Sequence, residues 1–340
     1  MEQLLGKNLE SLTSLSLELG LRRFVGAQLA QWLYPKRATE WGQMVNISPK
    51  IAQVIAQKYE IGGSAPLETQ LSVDGTQKFL FPTLCGGPIE AVYIPSRERA
   101  TLCVSSQSGC RMGCKFCMTA RVGYKGNLTA GEIVAQVLRI PQSELLTNIV
   151  YMGMGEPMDN IEEVLRSIEI ITAPWGLGWS PSRITVSTIG KIDGLRRFLD
   201  ESRAHLAISL HNPFDHERLA MMPAQGANPI AEVMELIRGY NWRAQRRLSF
   251  EYIMFEGVND SLQHLEELRR LLHGLECRVN LIRFHEIPNS PFRGSSDEKI
   301  LEFNHELNRV GVSTTTRSSR GEDILAACGL LSATQATGQQ

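Results

Sequence analysis

The chain has 340 residues, 43% of them hydrophobic, enough for one large domain with one or two smaller additions. Its formal net charge of −1 and ordinary Gly and Pro contents exclude a uniformly basic nucleic-acid binder, a disordered chain and a fibrous fold. The start, MEQLLGKNLESL, lacks the basic residues and apolar run of a secretory leader, and no uninterrupted apolar run approaches membrane-spanning length. The expectation is a cytoplasmic protein without a membrane partner, in which clustered cysteines point to metal or redox chemistry rather than structural disulfides.

Residues 1–62 read as a small helical accessory domain. GLRRFVGAQLAQWLYPKRATEWGQM repeats apolar residues at helical spacing and is broken at Pro35. Residues 63–98 read as a short β extension. LETQLSV and TQKFLF flank Asp74-Gly75, a hairpin signal, and PIEAVYI follows as a third strand. Residues 99–311 alternate in character. TLCVSSQ, TNIVYMGM, RITVST, HLAISL, LSFEYIM and RVNLIRF read as short buried strands, each followed by a helical stretch. Parallel strands with helical crossovers give an open doubly wound sheet or a barrel. Six units are too few for an eight-stranded barrel, so within the α/β class an open sheet and a partial (β/α)6 barrel both fit the pattern. Residues 312–340 form a C-terminal tail.

Unusual residues fall just after the strands. The first is followed by GCRMGCKFCMTA, with Cys110, Cys114 and Cys117. The second is followed by Gly153-Met154-Gly155-Glu156-Pro157. Ser187 and Thr188 end the third; Ser209, His211 and Asn212 follow the fourth; His285 and Glu286 follow the sixth. Any one of these could be a turn or cap residue. Together they line the end of an α/β core where ligands bind. The spacing C-x3-C-x2-C offers three thiolates where a tetrahedral zinc site needs four. Three thiolates on a four-iron cluster leave one iron open to a ligand. Zinc with a distant fourth ligand, or three unrelated thiols, are the competing readings. GMGEP lacks the last glycine of a dinucleotide fingerprint. Cys103, in the first strand, and Cys328, near the end, read by themselves as small buried hydrophobes, and Cys85 and Cys277 as structural.

TLCVSSQSGCRMGCKFCMTA, MGMGEPMDN, ITVSTIG, LAISLH and RGEDILAACG together resemble the RlmN/Cfr family of radical S-adenosylmethionine RNA adenine methyltransferases. GAQLAQWLY is similar to that family's accessory domain. The resemblance implies a [4Fe-4S] cluster on Cys110, Cys114 and Cys117, with S-adenosylmethionine on the open iron. It implies cofactor contacts from Gly155, Glu156, Ser187, Ser209, Leu210 and His211. It implies that Cys328 is methylated, that Cys103 is the second catalytic cysteine and that Glu90 accepts a proton. The implied reaction consumes two S-adenosylmethionine molecules per turnover and methylates an adenine ring carbon, expected to be carbon 2. The implied substrate is 23S rRNA, with tRNA as a second candidate. Release by attack of Cys103 on Cys328 would leave a disulfide. The implied partners are RNA and an electron donor such as flavodoxin with its reductase, and the enzyme is expected to be a monomer.

One departure stands out. The family pattern LIPFNP is replaced by LIRFHEIP, so His285 takes the place of a cofactor-binding Asn and Arg283 that of a proline. A histidine can make the same hydrogen bond. Basic candidates for RNA contact are Lys36, Arg37, Arg243, Arg246, Arg247, Arg317 and Arg320, the last two favoured because they flank Cys328. Alternatives are a radical enzyme of the same core with another substrate, and a non-catalytic, zinc-stabilised RNA-binding protein.

Overall fold

The structure, a computed structural model of the chain, describes residues 1–242 and 246–332. Ten strands form one sheet in chain order: β1 (Glu68–Leu71), β2 (Gln77–Phe81), β3 (Ile89–Pro95), β4 (Ala100–Cys103), β5 (Asn148–Tyr151), β6 (Ile184–Thr188), β7 (His205–Ser209), β8 (Leu248–Met254), β9 (Arg278–Arg283) and β10 (Thr314–Thr316). β1 to β4 pair antiparallel. From β4 to β10 every neighbouring pair is parallel. β1 and β10 lie at opposite ends of the order, so the sheet is open, as a partial barrel requires. The parallel strands are short and β-branched, and strands such as β7 are buried on both faces because helices cover the sheet.

Helices α1 (Leu9–Glu18), α2 (Phe24–Leu33) and α3 (Pro49–Ala56) precede the sheet, and the short α4 (Met118–Val122) follows β4. The crossovers are α5 (Ala130–Leu138), α6 (Ile161–Thr172), α7 (Ile192–Glu201), α8 (Asp215–Met221) with α9 (Ile230–Arg238), α10 (Leu262–Leu272) and α11 (Asp297–Arg309). α5 starts at a capping box: the Thr129 hydroxyl accepts from the Glu132 amide, and the Glu132 carboxylate accepts from the Thr129 amide at 2.8 Å.

Two features depart from the sequence reading. The β extension is continuous with the core sheet, because β3 pairs with β4 from Val92↔Cys103 to Pro95↔Ala100. The tail contributes β10, a seventh parallel strand. Three threonines, two of them exposed, carry no apolar pattern to announce it. α8 was also unannounced, since DHERLAM has too few apolar residues for a helical stripe.

Three apolar clusters hold the molecule. The largest fills the space between the sheet and its helices. A second joins α1 to α3 with Val134, Leu138 and Ile170 of α5 and α6, so the N-terminal unit packs on the back of the core. Arg139 reinforces this contact by donating to the carbonyls of Arg37 (2.9 Å), Ala38 and Gly63 (3.2 Å each). The third gathers Phe116, Met221, Met222, Phe255 and Phe284 with Leu330 of the tail, and it seats the cysteine loop.

Candidate active site

Between Ser108 and Gly126 the chain makes a closed excursion. Gln107 and Ser108 pair with Asn127 and Gly126, pinching its base. Gly109 has φ +73°, and a Cβ there would lie 1.7 Å from the Gly123 carbonyl oxygen, so only glycine closes the loop. The ring of Phe116 packs into the third apolar cluster, 5.4 Å from Phe255 and 5.1 Å from the His211 ring. Anchoring of Phe116 turns Cys110, Cys114 and Cys117 onto the wall of a cavity. About 910 Å³ of atom-free space lies there, counting the open mouth.

Burial pushes the Cys110 thiol up to about 12 and the Cys114 thiol well above its ordinary value. Such thiols become thiolates when a metal replaces the proton. No three His, Cys, Asp or Glu side chains among the described residues converge on one ion. Three thiols spread along one wall suit a polynuclear iron–sulfur cluster better than a single zinc ion.

The facing wall is polar. Gly155 has φ +97°, and a Cβ there would meet Gln107 Cβ at 2.5 Å, so the turn after β5 requires glycine. That turn aims the Glu156 side chain inward. Its carboxylate accepts from the amides of Met158 and Ile189, both at 3.0 Å. Burial pushes its pKa up to about 7, against the hydrogen bonds from Thr188, Ile189 and Met158. Ser187 and Ser209, at the ends of β6 and β7, place their hydroxyl oxygens 3.4 Å apart on this wall. His211 has φ +56°, a strained conformation for a non-glycine residue. Its Nδ1 accepts from the Ile253 amide at 3.1 Å, which puts the ring proton on Nε2. Burial lowers its pKa to about 3, so the ring is neutral. A carboxylate, two hydroxyls and an imidazole N–H offer acceptors and donors for an amino-acid moiety beside the thiols.

Leu210 is buried and does not border the cavity; its carbonyl accepts from Arg218 at 3.1 Å. Sequence reasoning missed Arg218 altogether. It is fully buried and also donates to the carbonyls of Ile189 (2.8 Å) and Ser209 (3.1 Å) and to Gln225. It ties together the strand ends that carry Ser187, Ser209 and His211. An arginine in a polar heptapeptide has the signature of a solvated helix face, so no local signal could have found it.

Of the two further cysteines, Cys328 borders this cavity, and Cys103 lies next to Cys328 but outside the lining. Cys328 has accessible surface because it borders the cavity, although protein surrounds it and burial pushes its thiol up. The positive charge of nearby Arg317 pulls the other way. Cys103 is buried on β4, its thiol pushed up to about 12 first by burial and next by the neighbouring Cys328. Arg317 also pairs with the buried Glu251, Nε to Oε2 3.3 Å, and Glu251 accepts from Asn280 at 2.8 Å. The tail is fastened beside the cluster loop: the Met118 amide donates to Gly329 O at 2.8 Å, and the Thr119 hydroxyl to Leu331 O at 2.7 Å. All seven cysteines are free thiols, so the Cys103–Cys328 disulfide implied by the resemblance is not formed in this structure.

Other expected residues lie elsewhere. Glu90 stands behind the tail, outside the cavity lining, and accepts from the Ser332 amide at 2.9 Å. His285 also lies outside the lining, with Nε2 2.8 Å from the Ser319 hydroxyl. The basic candidates are largely engaged within the fold. Arg317 faces inward, and Arg320 donates to Pro95 O at 2.8 Å and lies 3.6 Å from Asp74. Arg246 is buried against Phe198 and Trp242 and donates to three backbone carbonyls. Arg37 pairs with Glu144 at 3.2 Å. Lys36, over the Trp32 ring, and Arg247 are exposed, and Arg243 lies outside the described residues.

Comparison with known proteins agrees with this geometry. The family model described as "Radical SAM superfamily" matches residues 104–272. That of the "Ribosomal RNA large subunit methyltransferase N-terminal domain" matches residues 2–61. The chain is 53% identical to a probable dual-specificity RNA methyltransferase RlmN of Porphyromonas gingivalis, over 98% of this chain and 97% of the relative. It is 40% identical to the dual-specificity RNA methyltransferase RlmN of Syntrophobacter fumaroxidans, over 92% and 93%. The crystal structure of a radical SAM methyltransferase from Sphaerobacter thermophilus superposes with a TM-score of 0.92 at 38% identity, covering 98% of this chain and all of that one. With the cysteine loop, the polar strand ends and the N-terminal unit all matched, the chain belongs to the radical SAM superfamily and, within it, to the RlmN family of RNA methyltransferases.

Proposed function

We propose that this enzyme methylates carbon 2 of an adenine in 23S rRNA and in tRNA, through a methylated Cys328. The observation that supports the reading is one cavity bordered by the three-cysteine loop, the polar set Glu156, Ser187, Ser209 and His211, and Cys328 with Arg317. A [4Fe-4S] cluster on Cys110, Cys114 and Cys117 and two S-adenosylmethionine molecules per turnover would supply a methyl group for sulfur and a radical that takes hydrogen from it.

The chain's own residues then have distinct tasks. Glu156, Ser187, Ser209 and His211 orient the amino-acid end of the cofactor. Arg317 favours the Cys328 thiolate as methyl acceptor, offsetting burial. The carbon radical on Cys328 would bond to the adenine ring, Glu90 would take the ring proton, and one electron would pass to the oxidised cluster. Cys103, as thiolate, would then attack the Cys328 sulfur, the S–S bond forming as the S–C bond breaks, and the departing carbon would take a proton to complete the methyl group. An electron donor such as flavodoxin would reduce the cluster, and the enzyme would act as a cytoplasmic monomer.

Mass spectrometry of rRNA and tRNA from a strain lacking the protein is the decisive measurement. Loss of 2-methyladenosine, restored by the wild-type chain but not by Cys328→Ala, is expected. Unchanged methyladenosine in both RNA pools would overturn the reading.

A further inference from the structure

The hairpin of β1 to β3 carries a row of charge that the reaction above does not use. Cross-strand pairing puts Leu80 opposite both Glu90 and Glu68, and Gln70 opposite Lys78. Since side chains two apart share a face, Glu68, Gln70, Lys78 and Glu90 lie on one face of the hairpin. Lys78 Nζ is 3.1 Å from Glu90 Oε1, with side chains only 9% and 3% exposed. Gln70 Nε2 donates to Glu68 Oε1 at 2.9 Å, and both residues are partly exposed. These four residues and Leu80 line a small cavity of about 10 Å³, room for one water molecule among polar partners.

The other side of Glu90 faces the reactive tail. Its Oε2 accepts from Ser332, next to Leu331, which borders the large cavity. Its carbonyl accepts from the Ser105 hydroxyl at 2.6 Å, and that hydroxyl accepts from the Met154 amide at 2.8 Å. The carboxylate is thus clamped between the active-site wall and the polar face of the hairpin. A buried carboxylate is costly without a partner, and the Lys78 ammonium supplies one.

We propose that Lys78 is a positioning residue that pairs with Glu90 and aims it, and that the water-sized cavity beside Glu68 and Gln70 is the proton exit of the active site. The inference rests on the reading of Glu90 as proton acceptor. In the step concerned, the proton on the alkylated ring carbon passes to a Glu90 oxygen, and the C–H bonding pair stays in the ring. Glu90 then passes that proton to water in the small cavity, and the water releases it to solvent past Gln70 and Glu68. Lys78 remains an ammonium throughout. One proton leaves the substrate and one reaches solvent, and the unpaired electron that radical addition leaves on the ring would return to the oxidised iron–sulfur cluster.

The test compares Lys78→Met, Lys78→Arg and Glu90→Gln in the reconstituted full-length enzyme with an rRNA or tRNA transcript. Three quantities are read: 5′-deoxyadenosine formed, methylated RNA released, and RNA held covalently on the protein. Lys78→Met is expected to form 5′-deoxyadenosine as the wild type does, to release RNA about 100-fold more slowly, and to accumulate the covalent adduct. Lys78→Arg keeps the charge and is expected to restore release to within about tenfold of wild type. Lys78→Gln serves in place of Lys78→Met if the latter does not fold. Wild-type release and no adduct in Lys78→Met or Lys78→Gln, with stalling in Glu90→Gln, would overturn this inference and leave the role of Glu90 standing. Wild-type release in Glu90→Gln would overturn both.

Discussion

Glu156 shows how a residue's surroundings become a measurable property. Burial raises its pKa from an ordinary 4.5 to about 7, so the folded protein prefers the protonated form. A carboxyl whose folded pKa exceeds its unfolded value stabilises fully below the unfolded pKa, and that contribution is lost as pH rises through the folded one. The cluster-free protein should therefore lose about 2 kcal/mol between about pH 5 and about pH 8, relative to Glu156→Gln. Urea denaturation of both proteins at the two pH values measures the difference; parallel pH profiles would contradict the burial argument. A bound ammonium group would reverse the preference, which is the property expected of a cofactor's amino-group partner.

At the scale of elements, the ends of β6 and β7 and the start of α8 are held by one side chain. Replacing Arg218 with Met would leave the carbonyls of Ile189, Ser209 and Leu210 without their donor. A loss on the order of 3 kcal/mol is expected, read from the denaturant midpoint, with weaker S-adenosylmethionine binding by calorimetry. Unchanged stability would mean that water replaces the guanidinium. This element was only partly legible in sequence. The strands ITVST and HLAISL announced themselves by β-branched and apolar content, and the serines at their ends by position. Arg218 did not, because its partners are carbonyls, and carbonyls occur at every residue.

Across the whole molecule, the hairpin and the tail form one assembly around the core. Asp323 accepts from the Ser72 hydroxyl at 2.6 Å and the Val73 amide at 3.1 Å, while Asp74 accepts from the Gly321 amide at 3.0 Å. These contacts fasten the hairpin turn to the segment that delivers Cys328. Asp323→Ala should leave the fold and cluster content intact, speed hydrogen exchange in residues 321–332 and lower the rate of RNA methylation. Unchanged exchange in the tail would show that its contacts with α4 alone hold it. Here the sequence was silent on partners within the fold: Arg317 and Arg320, read as RNA contacts, also pair with Glu251 and Asp74.

The sequence by itself determined what short-range spacing can encode. Three cysteines within eight residues and alternating strand and helix patterns settled the α/β core and favoured an iron–sulfur cluster over zinc in its loop. Cys328 and Cys103 were not among these; as isolated residues they looked like packing, and only resemblance set them apart. The tertiary structure decided which distant groups share a place: Cys103 with Cys328 and Arg317, Arg218 with three strand-end carbonyls, and Glu90 with Lys78 and the tail. The physical reason is that the effect of a charge or thiol depends on its desolvation and on its neighbours. For Arg317 the neighbour is Glu251, 66 residues away in the chain, brought to it only by the pairing of β8, β9 and β10.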